Sequence, residues 1–291
     1  HPPGEIRDEA YWVPRSLVGR LADKAALAEW VSTDLLAERR VVERPRAQAA
    51  ARDFLDQDGC CVIKATGPEP SGGGGGVEFV SSPDVFAETL ARLAGKGPVV
   101  VERWIKAERS YCLNFALPAS SPGTALYLGA AEQIIVHQVK YRGNLMVASP
   151  KIPDATVAAV HRIAEGMAGA GYHGLLGVDV IMAPDGRPIV LDINPRANAS
   201  TAALIHAPGL RARTGQDLVF LLNVFHLPAR TSEAMSIIRR GIRDHWLFPL
   251  RWYIYEPGER YAIKCGVLLA GADVDQIESK TRILRHAGIV I

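Results

Sequence analysis

An excess of charge of either sign is missing from this chain. Across 291 residues, Lys and Arg number 33 and Asp and Glu 31, a formal balance of +2. That excludes the broad cationic footprint that non-specific nucleic-acid binding needs. Long apolar runs are also missing: none approaches the roughly 20 residues of a bilayer-spanning helix. No membrane partner is expected. Cysteine is scarce, and Cys60, Cys61, Cys112 and Cys265 form no CxxC pair, which excludes a zinc knuckle or a disulfide scaffold. The chain opens HPPGEIRDEAYW without an initiator methionine, so a targeting segment upstream stays open while the expected location is the cytoplasm. What the chain does have is 48% hydrophobic residues, enough for a sizeable core in one large domain or a few small ones.

Hydrophobic periodicity predicts helices over residues 16–30 and 46–55, both ahead of the first strand. Residues 60–66 read as that strand, and residues 77–80 as its return after a glycine-rich tip. Ser82-Pro83 opens a helix to about residue 95, and a strand follows over 99–105. Further strands are expected over 110–117 and 124–139, a helix over 154–169, and a strand pair over 175–182 and 188–194. Residues 216–226 read as a helix, and residues 231–291 as a small α/β appendage. This pattern predicts an α+β fold with mostly antiparallel sheets, divided into an N-terminal segment (1–22), two lobes (23–107 and 108–230) and the C-terminal region (231–291).

The most informative segment is GVDVIMAPDGRPIVLDINPR, residues 177–196. Asp185-Gly186 suits a tight two-residue hairpin loop, and centring the turn there sets Asp179 opposite Asp192. Period-two alternation places Asn194 on the same face. Like charges directly opposite on a sheet repel, so a cation between them is the natural complement. A hard divalent ion, Mg²⁺ or alternatively Mn²⁺, takes one or two carboxylates together with waters and phosphate oxygens. The competing reading is an acidic hairpin face that is simply solvated.

Ser71 to Gly76 reads SGGGGG, a composition usual for a flexible linker. Here it joins two strands, with Lys64 at the end of the first. Successive glycine amides at Gly72, Gly73, Gly74 and Gly75 can cradle phosphates while Lys64 supplies a point charge. No Gly-Lys-Ser/Thr follows, so the segment is not a Walker loop. Lys24 is a second candidate cation, against the plain alternative of a solvated helix lysine. Glu102 and Glu108 flank Trp104-Ile105, where an adenine could stack and a carboxylate accept ribose hydroxyls.

Together these pieces resemble the ATP-grasp superfamily over roughly residues 23–200, most of all its D-alanine:D-alanine ligase branch. The matching parts are Asp23-Lys24, Lys64 with Gly72 to Gly76, Glu102-Arg103-Trp104-Ile105, and the acidic hairpin ending Asp192-Ile193-Asn194-Pro195-Arg196. The resemblance implies two lobes with antiparallel sheets clamping ATP, and a metal held by Asp179, Asp192 and Asn194. It implies that Arg196 meets the transferred phosphoryl group and that Lys24, Lys64 and Lys140 contact phosphates, Lys140-Tyr141 resembling a phosphate-contacting pair of the same branch. The implied activity is that of a ligase forming C–N bonds. ATP phosphorylates a small-molecule carboxylate, and the amine of an amino acid or peptide then displaces phosphate to give an amide.

Two departures qualify the likeness. Asp stands at 192 where Glu is commoner. Gly177 stands where the D-alanine:D-alanine ligases carry an arginine that grips the substrate carboxylate, so a D-alanine substrate is not expected. Arg142-Gly143-Asn144 and the C-terminal appendage look more like the actinobacterial peptide ligases. Members usually carry a further domain before the lobes, which here would lie outside the given sequence unless the chain is a compact member relying on a partner such as a second copy. The rival expectations are a catalytically silent nucleotide-binding module, and thioester or carboxylation chemistry on the same fold.

Overall fold

The computed structural model describes residues 12–67, 76–93, 95–146, 152–216, 218–227, 231–254 and 263–289. In chain order the helices and strands are α1 (Arg15–Ala22), α2 (Leu27–Trp30), β1 (Arg39–Val42), α3 (Ala47–Asp58), β2 (Cys61–Ala65), β3 (Val77–Val80), α4 (Phe86–Arg92), β4 (Val99–Arg103), β5 (Arg109–Leu117), β6 (Leu126–Val136), β7 (Lys140–Met146) and α5 (Asp154–Gly169). They continue with β8 (Gly174–Met182), β9 (Pro188–Asn194), α6 (Ala199–Thr214), β10 (Leu218–Leu227), α7 (Thr231–Arg243), β11 (Leu247–Ile254), β12 (Ile263–Gly271) and α8 (Val274–His286). The chain forms two compact units, one of residues 1–129, 135–141 and 152–197, the other of residues 130–134, 142–151 and 198–291.

In the first unit, β1, β4, β2 and β3 form a four-stranded sheet in that order, with every pair antiparallel. The apolar stripe of α3 covers one face. Ala47, Ala51, Phe54 and Leu55 pack with Cys61, Ile63, Val80, Val99 and Val101, and Gly59 ends the helix in the left-handed conformation that its missing Cβ permits (φ 70°). The Phe54 ring is fully buried, and the guanidiniums of Arg40 and Arg103 lie 4.8 and 5.3 Å from its centre. A second antiparallel array runs β5, β8, β9.

The turn of the β8–β9 hairpin differs from the expected two-residue loop. Ala183 and Arg187 close it through an N–H···O bond of 3.0 Å, and Gly186 N–H donates back to the Ala183 carbonyl at 2.9 Å. Pro184, Asp185 and Gly186 thus form a longer loop with Gly186 at φ 80°, the geometry of a type I turn followed by a left-handed residue. This puts Met182 opposite Pro188 and Val180 opposite Val190, one residue out of the expected register. An irregularity between Asp179 and Val180 then passes over Leu191 on β9, and Asp179 again faces Asp192, with Gly177 facing Asn194. The expected carboxylate pairing is therefore present, reached through a turn and a bulge that cancel.

In the second unit, β10 pairs antiparallel with the end of β7 on one side and with β12 on the other, and β12 also pairs with β11. Ile238, Leu247, Val267, Leu269, Ile277 and Leu284 make its core. A smaller cluster sets Ala203 and Ala207 of α6 against Met146 and Leu268.

Three expectations are corrected. Residues 216–226 are not a helix: Leu218–Leu227 is a strand, since an apolar run of this length carries no periodicity to separate the two states. A strand, β1, precedes α3. It is four residues long and, among the described strands, pairs with β4 alone, too short to show alternation. The expected helix over 16–30 is broken at Asp23, whose carboxylate accepts the Ala25 N–H at 3.0 Å and so draws the backbone out of the helix. Among the described residues, no helix is long and apolar enough to cross a membrane.

Phe54→Ala should destabilise the first unit by about 3–5 kcal/mol, the usual result of emptying a filled aromatic site. Denaturant unfolding with local probes tests this, and a loss below about 1 kcal/mol would contradict the packing described.

Candidate functional site

The β8–β9 hairpin brings acidic side chains together. Asn194 donates from Nδ2 to Asp179 Oδ2 at 3.0 Å, and Arg196 donates from Nη2 to Asn194 Oδ1 at 2.9 Å. Asp192 is answered from another element: Lys24 Nζ lies 3.2 Å from its Oδ2. Burial and the facing Asp192 push the Asp179 carboxyl up to about 6, while hydrogen bonds from Cys112 and Asn194 and the charge of Lys24 oppose the rise.

Lys24 is aimed by the corner that breaks the N-terminal helix. Asp23 Oδ1 accepts from Ala25 N–H at 3.0 Å and from Gly67 N–H at 3.1 Å, tying the corner to the entrance of the glycine-rich segment. Arg39, at the start of β1, donates through Nη2 to the Lys24 carbonyl.

Lys64 lies on β2 one strand from Glu102 on β4, diagonally across the sheet. The two form a buried pair with Nζ 2.8 Å from Oε1, and Lys64 Nζ also donates to the Leu191 carbonyl at 3.3 Å. Leu191 is the residue passed over in the β8–β9 ladder, and the ammonium takes its carbonyl oxygen. The four-stranded sheet and the acidic hairpin are thus joined through one side chain.

The other expected residues divide. Lys140 pairs with Glu78 at 2.8 Å and donates to the Val77 carbonyl at 2.9 Å, so it meets the strand that leaves the glycine-rich segment. Gly72, Gly73, Gly74 and Gly75 lie outside the described residues. Gly76 is described, and its carbonyl accepts the Ala65 N–H at 2.8 Å, closing the hairpin at its base. Trp104 packs edge-on against Phe79 with ring centres 5.4 Å apart. Ile105 packs with Ile181 and Ile189. Glu108 is exposed, and its backbone N–H donates to the Met182 carbonyl at 2.9 Å. Sequence reading missed Arg39, Glu78, Cys112 and the Leu191 carbonyl. None belongs to a motif, and each is identified by what the fold sets against it: Cys112 lies opposite Asp179 and Arg39 opposite Glu102, while Glu78 meets Lys140 of β7 and the Leu191 carbonyl meets Lys64 of β2.

Residues 37–194 match the family described as L-aspartate–L-methionine ligase, ATP grasp. The chain belongs to this ATP-grasp family. Among curated relatives, the D-alanine–D-alanine ligase of Anaeromyxobacter sp. (strain Fw109-5) is 32% identical over 167 residues, 55% of this chain and 52% of that protein. That of Anaeromyxobacter dehalogenans (strain 2CP-C) is 28% identical over 208 residues, 68% of this chain and 66% of that protein. The chain thus spans about half the length of the first relative and just under two thirds of the second. Among solved structures, the carboxyaminoimidazole ribonucleotide synthase from Aspergillus clavatus complexed with ATP superposes with a TM-score of 0.65 at 16% identity, covering 92% of this chain and 73% of that one. The biotin carboxylase domain of the Hydrogenobacter thermophilus 2-oxoglutarate carboxylase, in complex with MgADP, gives 0.58 at 12%, covering 89% and 65%. The ATP-grasp fold, α+β with antiparallel sheets, is therefore the fold of this chain.

The raised Asp179 pKa sets a sign for stability. Without metal, the folded protein keeps a proton that the unfolded chain gives up in the ordinary carboxylate range, so stability is greatest below that range and falls as pH rises to about 6. Asp179→Asn should abolish this part of the fall. Denaturant unfolding in chelator at a series of pH values from about 4 to 7 checks it, and equal slopes in parent and variant would contradict the burial described.

Proposed function

We propose that this chain is an ATP-dependent carboxylate–amine ligase that works through an acylphosphate and releases ADP and phosphate. The observation that carries this reading is the opposed pair Asp179 and Asp192, hydrogen-bonded through Asn194 to Arg196 and bridged through Lys24 to the lysine-bearing lobe. Two carboxylates face to face cost energy unless a cation answers them, and Lys24 reaches one of the two.

The donor set suits a hard divalent ion. Asp179 and Asp192 offer carboxylate oxygens, and turning the Asn194 carboxamide would present its oxygen in place of Nδ2. No group of three or more His, Cys, Asp or Glu side chains placed to hold a metal occurs among the described residues. Water and phosphate oxygens would complete the shell, as Mg²⁺ prefers. Bound there, the ion would neutralise charge on the nucleotide phosphates.

The chain's own residues supply the rest. Lys24 and Lys64 would hold phosphate oxygens, with the amides of Gly72, Gly73, Gly74 and Gly75 and the Lys140 ammonium closing over them. Trp104 and Ile105 would border the adenine, with Glu102 and Glu108 offered to the base and ribose. Arg196 would stabilise the transferring phosphoryl group. A carboxylate oxygen attacks the γ-phosphorus, the bond to the β-phosphate oxygen breaks, and ADP departs. The amine nitrogen then attacks the acyl carbon, phosphate leaves, and the nitrogen loses a proton. The matched family and the curated relatives are named for ligases that join amino acids, which supports a small carboxylate donor and an amino acid or peptide amine as acceptor. A cytoplasmic location accords with ATP as cosubstrate.

ATP consumption with pools of amino acids and peptides, read with mass analysis of products, should yield ADP, phosphate and an amide. Stoichiometric AMP and pyrophosphate would overturn the acylphosphate step. ADP release that needs bicarbonate and no amine would move the chain to carboxylation chemistry.

Asp192→Asn should lower Mg²⁺-dependent turnover by roughly 100-fold or more, since even partners outside the ligand shell are worth about 10- to 100-fold. Circular dichroism should show the fold retained. A folded variant with near-parent turnover at saturating Mg²⁺ would make Asp192 a structural residue.

A further inference from the structure

The four-stranded sheet of the first unit holds a cation that the mechanism above does not use. Arg39 opens β1 directly opposite Glu102 on β4, and Lys64 on β2 reaches the same Glu102 from the other side. Across β1, β4 and β2 the side chains run cation, carboxylate, cation. A single carboxylate, 4% exposed, lies between two positive groups.

The Arg39 guanidinium is committed on one arm. Nη2 donates to the Lys24 carbonyl, which sets the group against the corner that carries the Lys24 ammonium. Nη1 is buried and has no partner among the described residues, and the buried Oε2 of Glu102 has none either. Leaving a buried N–H of a charged group unpaired is costly, and two complements are open to it, Glu102 Oε2 on the facing strand and a bound anion.

Among the described residues, Glu102 is the nearby carboxylate that keeps an oxygen without a partner. Asp23 accepts from the amides of Ala25 and Gly67, Asp192 holds Lys24, and Glu102 Oε1 holds Lys64. Burial draws the Arg39 guanidinium down from its ordinary range, and the charges of Glu102, Asp192 and Asp23 act against it. The same three carboxylates therefore surround it from β4, β9 and the Lys24 corner. A divalent ion on Asp179 and Asp192 would satisfy those two groups and leave Lys24, Lys64 and Arg39 with Glu102 and Asp23. Three cations against two carboxylates leave positive charge over, which a polyanion would meet.

We propose that Arg39 is a further phosphate-binding cation of the nucleotide site, its Nη1 donating to a phosphate oxygen while Nη2 holds the Lys24 carbonyl. This rests on the nucleotide-binding reading of the site and adds a residue to it. The planar guanidinium fork suits the double task, since one arm can grip a carbonyl while the other meets an anion, which the point charge of a lysine cannot do in one geometry.

The test compares MgADP with adenosine, which shares the base and ribose and lacks the phosphates. Dissociation constants are measured by calorimetry and ligand-observed NMR for the parent, Arg39→Gln and Arg39→Lys, with thermal unfolding as a check on folding. Arg39→Gln should weaken MgADP by roughly 10- to 100-fold, the value of a charge-assisted hydrogen bond, and leave adenosine within about twofold of the parent. Arg39→Lys should fall between. An Arg39→Gln protein that binds MgADP like the parent, or that loses adenosine affinity equally, overturns the proposal. Should the glutamine variant fail to fold, parent-like MgADP binding by Arg39→Lys overturns it as well. A parent that binds neither ligand overturns the nucleotide site itself, an outcome distinct from a parent that binds MgADP and variants that bind it equally.

Discussion

Two carboxylates held face to face on an antiparallel hairpin set the terms for everything around them in the first unit. Asp179 and Asp192 cannot move apart without undoing the β8–β9 ladder, so their repulsion must be met where they stand. The structure meets it piecemeal. Lys24 is brought to Asp192 by a helix broken at Asp23, Asn194 is hydrogen-bonded to Asp179, and burial holds a proton on Asp179 to higher pH. Each of these answers takes a group that a bound cation would release. On the proposed reading, Lys24 would change partners from carboxylate to phosphate without leaving its corner.

The buried Lys64–Glu102 pair does a different job. Its two members lie on neighbouring strands of the four-stranded sheet, and the lysine also reaches the Leu191 carbonyl on the hairpin. Breaking such a pair by removing one member leaves an uncompensated buried charge, at a cost of about 3–5 kcal/mol. The contact thus ties the placing of a proposed phosphate ligand to the integrity of the sheet that presents it. Arg39 extends the same row by one strand.

How far the sequence discloses this depends on whether a feature is local. The facing of Asp179 and Asp192 follows from a turn signal and alternation alone, although the chain reaches it with a longer loop and a compensating bulge. Lys24, Lys64, Lys140 and Arg196 are legible because they sit in or beside recurring motifs. Arg39 and Glu78 are not: which residues they meet depends on the order β1-β4-β2-β3 and on which element lies across the sheet. Helix α6 is hidden by Pro208 inside it and the glycine that follows, although Asn198 and Thr201 form a reciprocal cap at its start. The strand over Leu218–Leu227 has neighbours on both sides, and strands of that kind read as uniform apolar runs.

The loop of the β8–β9 hairpin and the bulge at Leu191 have a joint consequence for which face the acidic side chains occupy. The loop places the ladder one residue out of the expected register and the bulge brings it back, so the two irregularities are length variants that mask each other. Were the ladder to run on without the bulge, Leu191 would face Asp179 and Asp192 would face Val178, on the other side of the hairpin. The bulge is thus what keeps both carboxylates on one face, and the carbonyl of the residue it leaves out is the one that Lys64 takes.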